Sequence, residues 1–292
     1  MKPPAFDYVC AASIADALAL LEAHGAGAVL LAGGQSLMPT LNFRLAAPSV
    51  VIDLNGIASL SAVELDDRGW VVAGAMARHR FFETSAMIEE RLPLVRDAMA
   101  VLAHVAVRNR GTIGGSLCHA DPSAEWPALS LACDAEMVLQ SRSGTRRVKA
   151  DEFSLALFTT ALAPGELLSQ VVFPPWPSGR RWGFQEVSRR RGDFAIAGVV
   201  CVVDLDEAGT CTDARIVVFG ATDRPTLQLE AASELIGRRP RDDDAQRAAL
   251  RARAAVACRS DHHASAEYRS QLVQALTVRA LTQALQPTLT PA

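Results

Sequence analysis

Leu31-Ala32-Gly33-Gly34-Gln35-Ser36-Leu37-Met38-Pro39 is the stretch on which the fold turns. It continues the short apolar run Ala28-Val29-Leu30-Leu31, which reads as a buried strand. The paired glycines end that strand. Glycine accepts positive φ and lets backbone come close to a ligand. Successive backbone N–H groups in such a turn form a concave anion site. Upstream, Ser13 is placed as an N-cap with Asp16 three residues on. Ile14, Ala17, Leu18 and Leu21 recur at helical spacing, and Gly25 stops the helix. Further strands are expected at 50–54 and at 70–73, each preceded by a turn signal.

A second glycine loop lies far along the chain, in Arg108-Asn109-Arg110-Gly111-Thr112-Ile113-Gly114-Gly115-Ser116. Neither loop is a G-x-G-x-x-G or a Walker A sequence. One Gly-Gly pair alone is more often a plain tight turn. Two such loops could grip one diphosphate from both sides, with hydroxyls from Ser36, Thr112 and Ser116 adding donors.

Around this loop the pattern predicts helices over 92–104 and 122–133, a hairpin at 136–149 and a strand over 167–173. Pro174-Pro175-Trp176-Pro177-Ser178-Gly179 can continue neither element type and marks a boundary. Beyond it, strands are expected at 182–187, 199–205 and 214–219. Helices follow at 228–236, 244–258 and 264–285, an α+β order, with a frayed tail over 286–292. No internal repeat is visible.

The chain has 292 residues, half of them hydrophobic, and a formal net charge of -3. That length and composition suit two domains with large cores. The charge lacks the basic excess of a nucleic-acid protein. No apolar stretch is long enough to span a membrane, and Met1 to Asp7 lack a signal-type apolar region. The six cysteines, at 10, 118, 133, 201, 211 and 258, form no C-x-x-C pair. The expectation is a reduced, cytoplasmic chain whose thiols mostly pack.

The stretch 31–39 closely resembles the first flavin-binding segment of the FAD (medium) subunits of molybdenum hydroxylases, the family of carbon monoxide, xanthine and nicotine dehydrogenases. Residues 108–117 resemble the second segment, and His119-Ala120-Asp121-Pro122-Ser123-Ala124-Glu125 continues it. Residues 164–168, 192–195 and 264–269 are similar to further family segments, so the resemblance spans nearly the whole chain.

This resemblance implies an α+β fold. Residues 1–176 would be an FAD-binding domain of the vanillyl-alcohol-oxidase (PCMH) type with two subdomains, and 177–292 a smaller α+β domain. The FAD diphosphate would lie between Ala32-Gly33-Gly34-Gln35-Ser36 and Thr112-Ile113-Gly114-Gly115-Ser116, held mostly by backbone. Glu125 would bind on the ribose side. Leu168 and Gln185 would approach the flavin, and Phe194 would flank its ring where many relatives carry tyrosine.

The activity implied is electron transfer as one subunit of an oxidoreductase. A large subunit would hold the molybdenum cofactor and a small one [2Fe-2S] clusters, in a dimer of heterotrimers. Clusters are held by closely spaced cysteines, and that set is missing here. The alternative is a self-contained flavin oxidoreductase with its own organic substrate.

Other features read more plainly. His262-His263 are adjacent, whereas metal ligands on a helix prefer i, i+4 spacing. His119 either lines the cleft or is structural. Arg189-Arg190-Arg191 reads first as a solvated basic turn. No acid–base pair or nucleophile elbow is conspicuous.

Overall fold

Residues 2–286 are described by a computed structural model; of the tail expected to fray, 287–292 lie outside the described residues. The chain forms two compact units. One holds the residues up to Ser85, His104–Ala120 and Asp134–Pro175; the other holds Ala86–Ala103, Asp121–Cys133 and the residues from Trp176 onward.

In the first unit, β1 (Asp7–Cys10), β2 (Ala28–Leu31) and β3 (Val50–Asp53) form a parallel sheet in the order β1-β3-β2. Central β3 is buried along its whole length, as a parallel strand covered on both faces requires. Helix α1 (Ile14–His24) packs on β2 and β3; Ser13 Oγ accepts from the Asp16 amide, and Gly25 caps the end. Helix α2 (Leu37–Asn42) follows the first glycine loop.

A second, antiparallel sheet uses β4 (Val63–Leu65), β5 (Val71–Gly74), β6 (Glu136–Ser141), β7 (Gly144–Lys149) and a later strand. Between them in sequence lie α3 (His79–Thr84), α6 (Val105–Arg108) and α7 (Ile113–His119), and after β7 come α9 (Ala150–Phe153) and the hairpin β8 (Ser154–Ala156)–β9 (Thr159–Thr160). Strand β10 (Leu167–Phe173) completes the order β4-β5-β10-β6-β7. Ala17, Leu18 and Ile52 share one core with Leu60, Met76 and Leu167, so the parallel layer and the antiparallel sheet are welded by apolar contact.

The second unit is built on an antiparallel sheet of β11 (Arg181–Ser188), β12 (Ala195–Leu205), β13 (Cys211–Phe219) and β14 (Thr226–Leu227). Ala197, Val199, Cys201 and Val203 meet α10 (Leu229–Ser233), α11 (Asp242–Ala255) and α12 (Ala266–Leu285) in one core. The alternate residues Val200, Val202, Val217 and Phe219 are buried as well. Helix α5 (Pro93–Ala98), which follows α4 (Ala86–Arg91), packs on β11, and α8 (Glu125–Ala132) packs on β12 and β13. All eight residues of α8 are buried, which explains its lack of an amphipathic period. The chain therefore enters this unit twice before residue 176.

Three predicted helices are markedly shorter than their apolar spacing suggests, among them the one expected over 228–236, which spans only Leu229–Ser233. The one expected over 92–104 ends at Ala98, and Ala103 takes a positive φ of 48° before the chain turns. The one expected from 122 begins at Glu125, because Asp121 Oδ1 accepts from the Ser123 amide and holds a turn there. Of the cysteines, 133, 201 and 211 are buried, while Cys10 and Cys118 are exposed; none of the six forms a disulfide.

Arg269 is 1% exposed, with Nη2 2.7 Å from Asp261 Oδ2 and Nη1 donating to the Arg259 carbonyl. Burial alone would raise the Asp261 carboxyl, but bonds from Arg269 and the amides of His263 and Ala264 hold it well below the usual range. Replacing Arg269 by Ala is expected to lower stability by about 3 kcal/mol, since it strands that acceptor network and leaves a cavity. Urea denaturation monitored by circular dichroism checks this.

Candidate functional site

In the first unit, β2 delivers Ala32 to Ser36 at the carboxyl end of the parallel sheet, where open α/β sheets place ligands. Thr112 to Ser116 lead into α7 beside them. The two loops abut. A Cβ on Gly33 would run into the Arg110 carbonyl oxygen and come 2.8 Å from Gly111 Cα. A Cβ on Gly115 would lie 3.3 Å from Ala32 Cβ. The structure thus brings together segments about 80 residues apart in the chain.

Their hydrogen bonding differs. In the second loop, the amides of Ile113, Gly114, Gly115 and Ser116 donate to Ala77 O, Ala75 O, Thr112 Oγ1 and Thr112 O. Thr112 is 1% exposed and its hydroxyl caps α7, so it is committed to structure. In the first loop, the amides of Gly33, Gly34, Gln35 and Ser36 donate to no protein acceptor among the described residues. Nor do the Ser36 and Ser116 hydroxyls make a hydrogen bond among those residues. Four consecutive unpartnered donors are a chemical fit to an anionic group such as a diphosphate.

The glycines have distinct reasons. Gly34 has φ 73°, and Gly33 sits at the loop-to-loop seam. A Cβ on Gly114 would meet Ala75 of the β5 edge at 2.5 Å, so packing demands glycine there rather than ligand space.

Sequence reading missed a polar support under the first loop. Tyr8 OH donates to Asp53 Oδ2, and Asn55 Nδ2 donates to Asp53 Oδ1 (2.5 Å) and to the Ala32 carbonyl (3.0 Å). Arg78 donates to Asn55 Oδ1 (2.5 Å) and to the Arg110 carbonyl. Burial would raise Asp53; bonds from Tyr8 and Asn55 and the charge of Arg110 hold it below the usual carboxylate range. The available signal was Asp53-Leu54-Asn55 at the carboxyl end of a buried strand. His79, 5% exposed, lies under Gly111; burial and the charges of Arg78 and Arg108 push its pKa down to about 3, so the ring is neutral.

The remaining expected residues are dispersed. Leu168 is buried in β10 just before a register shift against β6. Glu125, Gln185 and Phe194 belong to the second unit. Phe194 is 55% exposed ahead of β12, and Gln185 Nε2 donates to Gln283 Oε1 at 2.8 Å. Glu125 is 5% exposed in the first turn of α8, beside Glu186 of β11, whose Oε2 is buried without a hydrogen-bond partner. Burial raises both carboxyls, and the charges of Glu186 and Asp121 raise Glu125 further. This is an acid pair that the sequence did not announce. The His119 ring lies tilted 5.1 Å from the Phe158 ring, and Arg189, Arg190 and Arg191 are exposed. Among the described residues no group of three or more His, Cys, Asp or Glu could hold a metal.

The family described as "FAD binding domain in molybdopterin dehydrogenase" matches residues 4–176, and "CO dehydrogenase flavoprotein C-terminal domain" matches 182–284. The chain belongs to the FAD-binding medium-subunit family of the molybdenum hydroxylases.

Its relatives in that family include the 6-hydroxypseudooxynicotine dehydrogenase complex subunit alpha of Paenarthrobacter nicotinovorans, 42% identical over 98% of this chain and 96% of that one. The caffeine dehydrogenase subunit beta of Pseudomonas sp. (strain CBB1) is 36% identical over 97% and 96%. A solved carbon monoxide dehydrogenase from Hydrogenophaga pseudoflava superposes with a TM-score of 0.94 at 35% identity, covering 97% of this chain and 98% of that one. As a medium-subunit family member, the chain is an oxidoreductase subunit with an FAD-binding domain and a C-terminal flavoprotein domain. Among the described residues no helix is long and apolar enough to cross a membrane.

Two predictions follow from this geometry. Gly33→Ala is expected to force the loops apart and reduce flavin retention at least tenfold, because the added carbon meets backbone on the opposing loop. Flavin absorbance after gel filtration measures it. The carboxyl pair predicts a pH effect. Acids whose folded pKa is raised keep their protons after the unfolded chain has lost them, so stability falls as pH rises from 4.5 towards about 8. Glu125→Gln removes one such group and should raise the melting temperature at pH 8.5 by several degrees, with little change at pH 4.5. Thermal melts across that range test this.

Proposed function

We propose that this chain is the FAD-carrying electron-transfer subunit of a molybdenum hydroxylase complex. It would take electrons from [2Fe-2S] clusters on a small partner chain and pass them to an external acceptor. A large partner chain would hold the molybdenum cofactor, the assembly would be a dimer of heterotrimers, and the complex would be cytoplasmic. The observation that carries this reading is the row of four unpartnered amides, Gly33 to Ser36, braced against a second glycine loop in a chain of this family.

Bound FAD supplies the redox chemistry. The protein's own task is to bind and orient it. Amides 33–36 and the hydroxyls of Ser36 and Ser116 would hold the diphosphate, while the second loop, whose amides are already paired, would act as a rigid wall. Thr112, Ile113, Gly114 and Gly115 would form that wall, and Ala32 would flank the first loop. Leu168, Glu125 and Phe194 remain in the proposal as further contacts, with Glu125 acting in its protonated, donor-capable form. The names of relatives as subunits and medium chains support partners: a "medium chain" and a "subunit alpha" are parts of larger enzymes.

A second reading, a self-contained flavin oxidoreductase, draws on the buried pair Glu125–Glu186, since buried carboxyls with raised pKa values are common among catalytic acids and bases.

Purification from the native host separates the two. The expected result is a yellow complex with two further chains, one containing molybdenum and one iron–sulfur clusters, whose isolated flavin chain turns over no organic substrate. A lone yellow chain that turns over a substrate by itself would establish the second reading instead.

A further inference from the structure

We propose that Arg78 and Asn55 form a strut that aims the Gly33 amide at the bound anion, making them positioning residues for the diphosphate. This rests on the flavin-binding reading above. The strut is a chain of hydrogen bonds between two backbone carbonyls. At one end Asn55 Nδ2 donates to Ala32 O at 3.0 Å; at the other Arg78 donates to Arg110 O; between them Arg78 Nη2 donates to Asn55 Oδ1 at 2.5 Å.

Each anchored carbonyl lies one residue before a glycine of its loop. In a trans peptide the C=O and the following N–H point in opposite directions. Among the described residues no peptide bond is cis. Pinning Ala32 O from below therefore points the Gly33 N–H away from Asn55, on the side the strut leaves open. Arg110 O is also the atom that a Cβ on Gly33 would strike, so the strut ends at the seam itself.

The rest of the network stiffens this strut. Asp53 Oδ1 holds the Asn55 side-chain amide at 2.5 Å and accepts the Asn55 backbone N–H at 2.8 Å, and Tyr8 holds the other Asp53 oxygen. Arg78 is fixed by its backbone: it bridges Thr112, and the His79 amide donates to Gly111 O at 3.0 Å. A guanidinium spans two acceptors with separate N–H groups, which an ammonium on a flexible stem does not reproduce.

The test titrates FAD, ADP and adenosine into the flavin-stripped full chain for wild type, Arg78→Lys, Asn55→Ala and the double variant. Each single variant is expected to weaken FAD and ADP by roughly tenfold, the worth of one aimed donor to a charged group. The double variant should also lose roughly tenfold rather than a hundredfold, because both residues belong to one strut. Adenosine, which has no phosphate, should bind unchanged, and the melting temperature of the stripped protein serves as the folding control.

Wild-type affinity in Arg78→Lys would show that charge alone suffices and overturn the strut. Additive losses, or an equal loss for adenosine, would overturn it as well. If Arg78→Lys does not fold, Asn55→Ala decides by the same ratio of ADP to adenosine. A wild-type chain that binds neither FAD nor ADP would sink the flavin reading itself, an outcome distinct from a bound flavin indifferent to the strut.

Discussion

The first unit is organised around a backbone-to-backbone contact with no side chain between its partners. Gly33 lies against the Arg110 carbonyl and Gly111 Cα, and beside this seam Gly115 packs against the Ala32 methyl. Only glycine permits that approach. Because the loops lean on each other, the first can leave four successive amides without an internal acceptor and still hold its shape. Buried or half-buried unpaired N–H groups are costly in an ordinary loop. Here the cost is tolerated where an anionic ligand would remove it. The second loop has the opposite character: its amides are paired to β5 and Thr112, so it serves as a fixed wall.

Charge is handled by partnering or by neutralisation. Arg269 is almost wholly buried and is paired with Asp261. Arg108, 7% exposed, is paired with Glu83 at 2.9 Å. His79 has two arginines nearby and stays neutral. Glu125 lies beside Glu186, so burial and like-charge repulsion favour the protonated form. Such a pair titrates as a unit. It gives the second unit a proton-holding site inside a region that otherwise reads as plain core.

Much of the local structure was legible. Ser13, Asp16 and Gly25 mark α1, the run 167–173 is β10, and the turn at 142–143 makes the β6–β7 hairpin. These signals are local: a cap, an apolar run, a turn between strands. The glycine loops were legible too, since two Gly-Gly pairs with neighbouring hydroxyls stand out, the first directly after an apolar strand. Harder were the helix ends at Ala98 and Glu125, which depend on a left-handed residue and a side-chain turn. Harder still were Tyr8, Asn55, Arg78 and Glu186, whose roles come from neighbours remote in sequence.

By itself, then, the sequence determined α1, the β6–β7 hairpin, the strands around β2, β3, β5 and β10–β13, the C-terminal helices, the positions of the two glycine loops and the family, because each depends on spacing within a few residues or on a recognisable segment. Only the tertiary structure decided which loop keeps its donors, since pairing depends on what β5 presents to Thr112–Ser116. It alone assigned α5 and α8 to the second unit, because the buried residues of these helices need a sheet face to cover them. It alone joined Ala32 to Arg110 through Asn55 and Arg78, because hydrogen bonds form between atoms near in space, and distance along the chain carries no record of that.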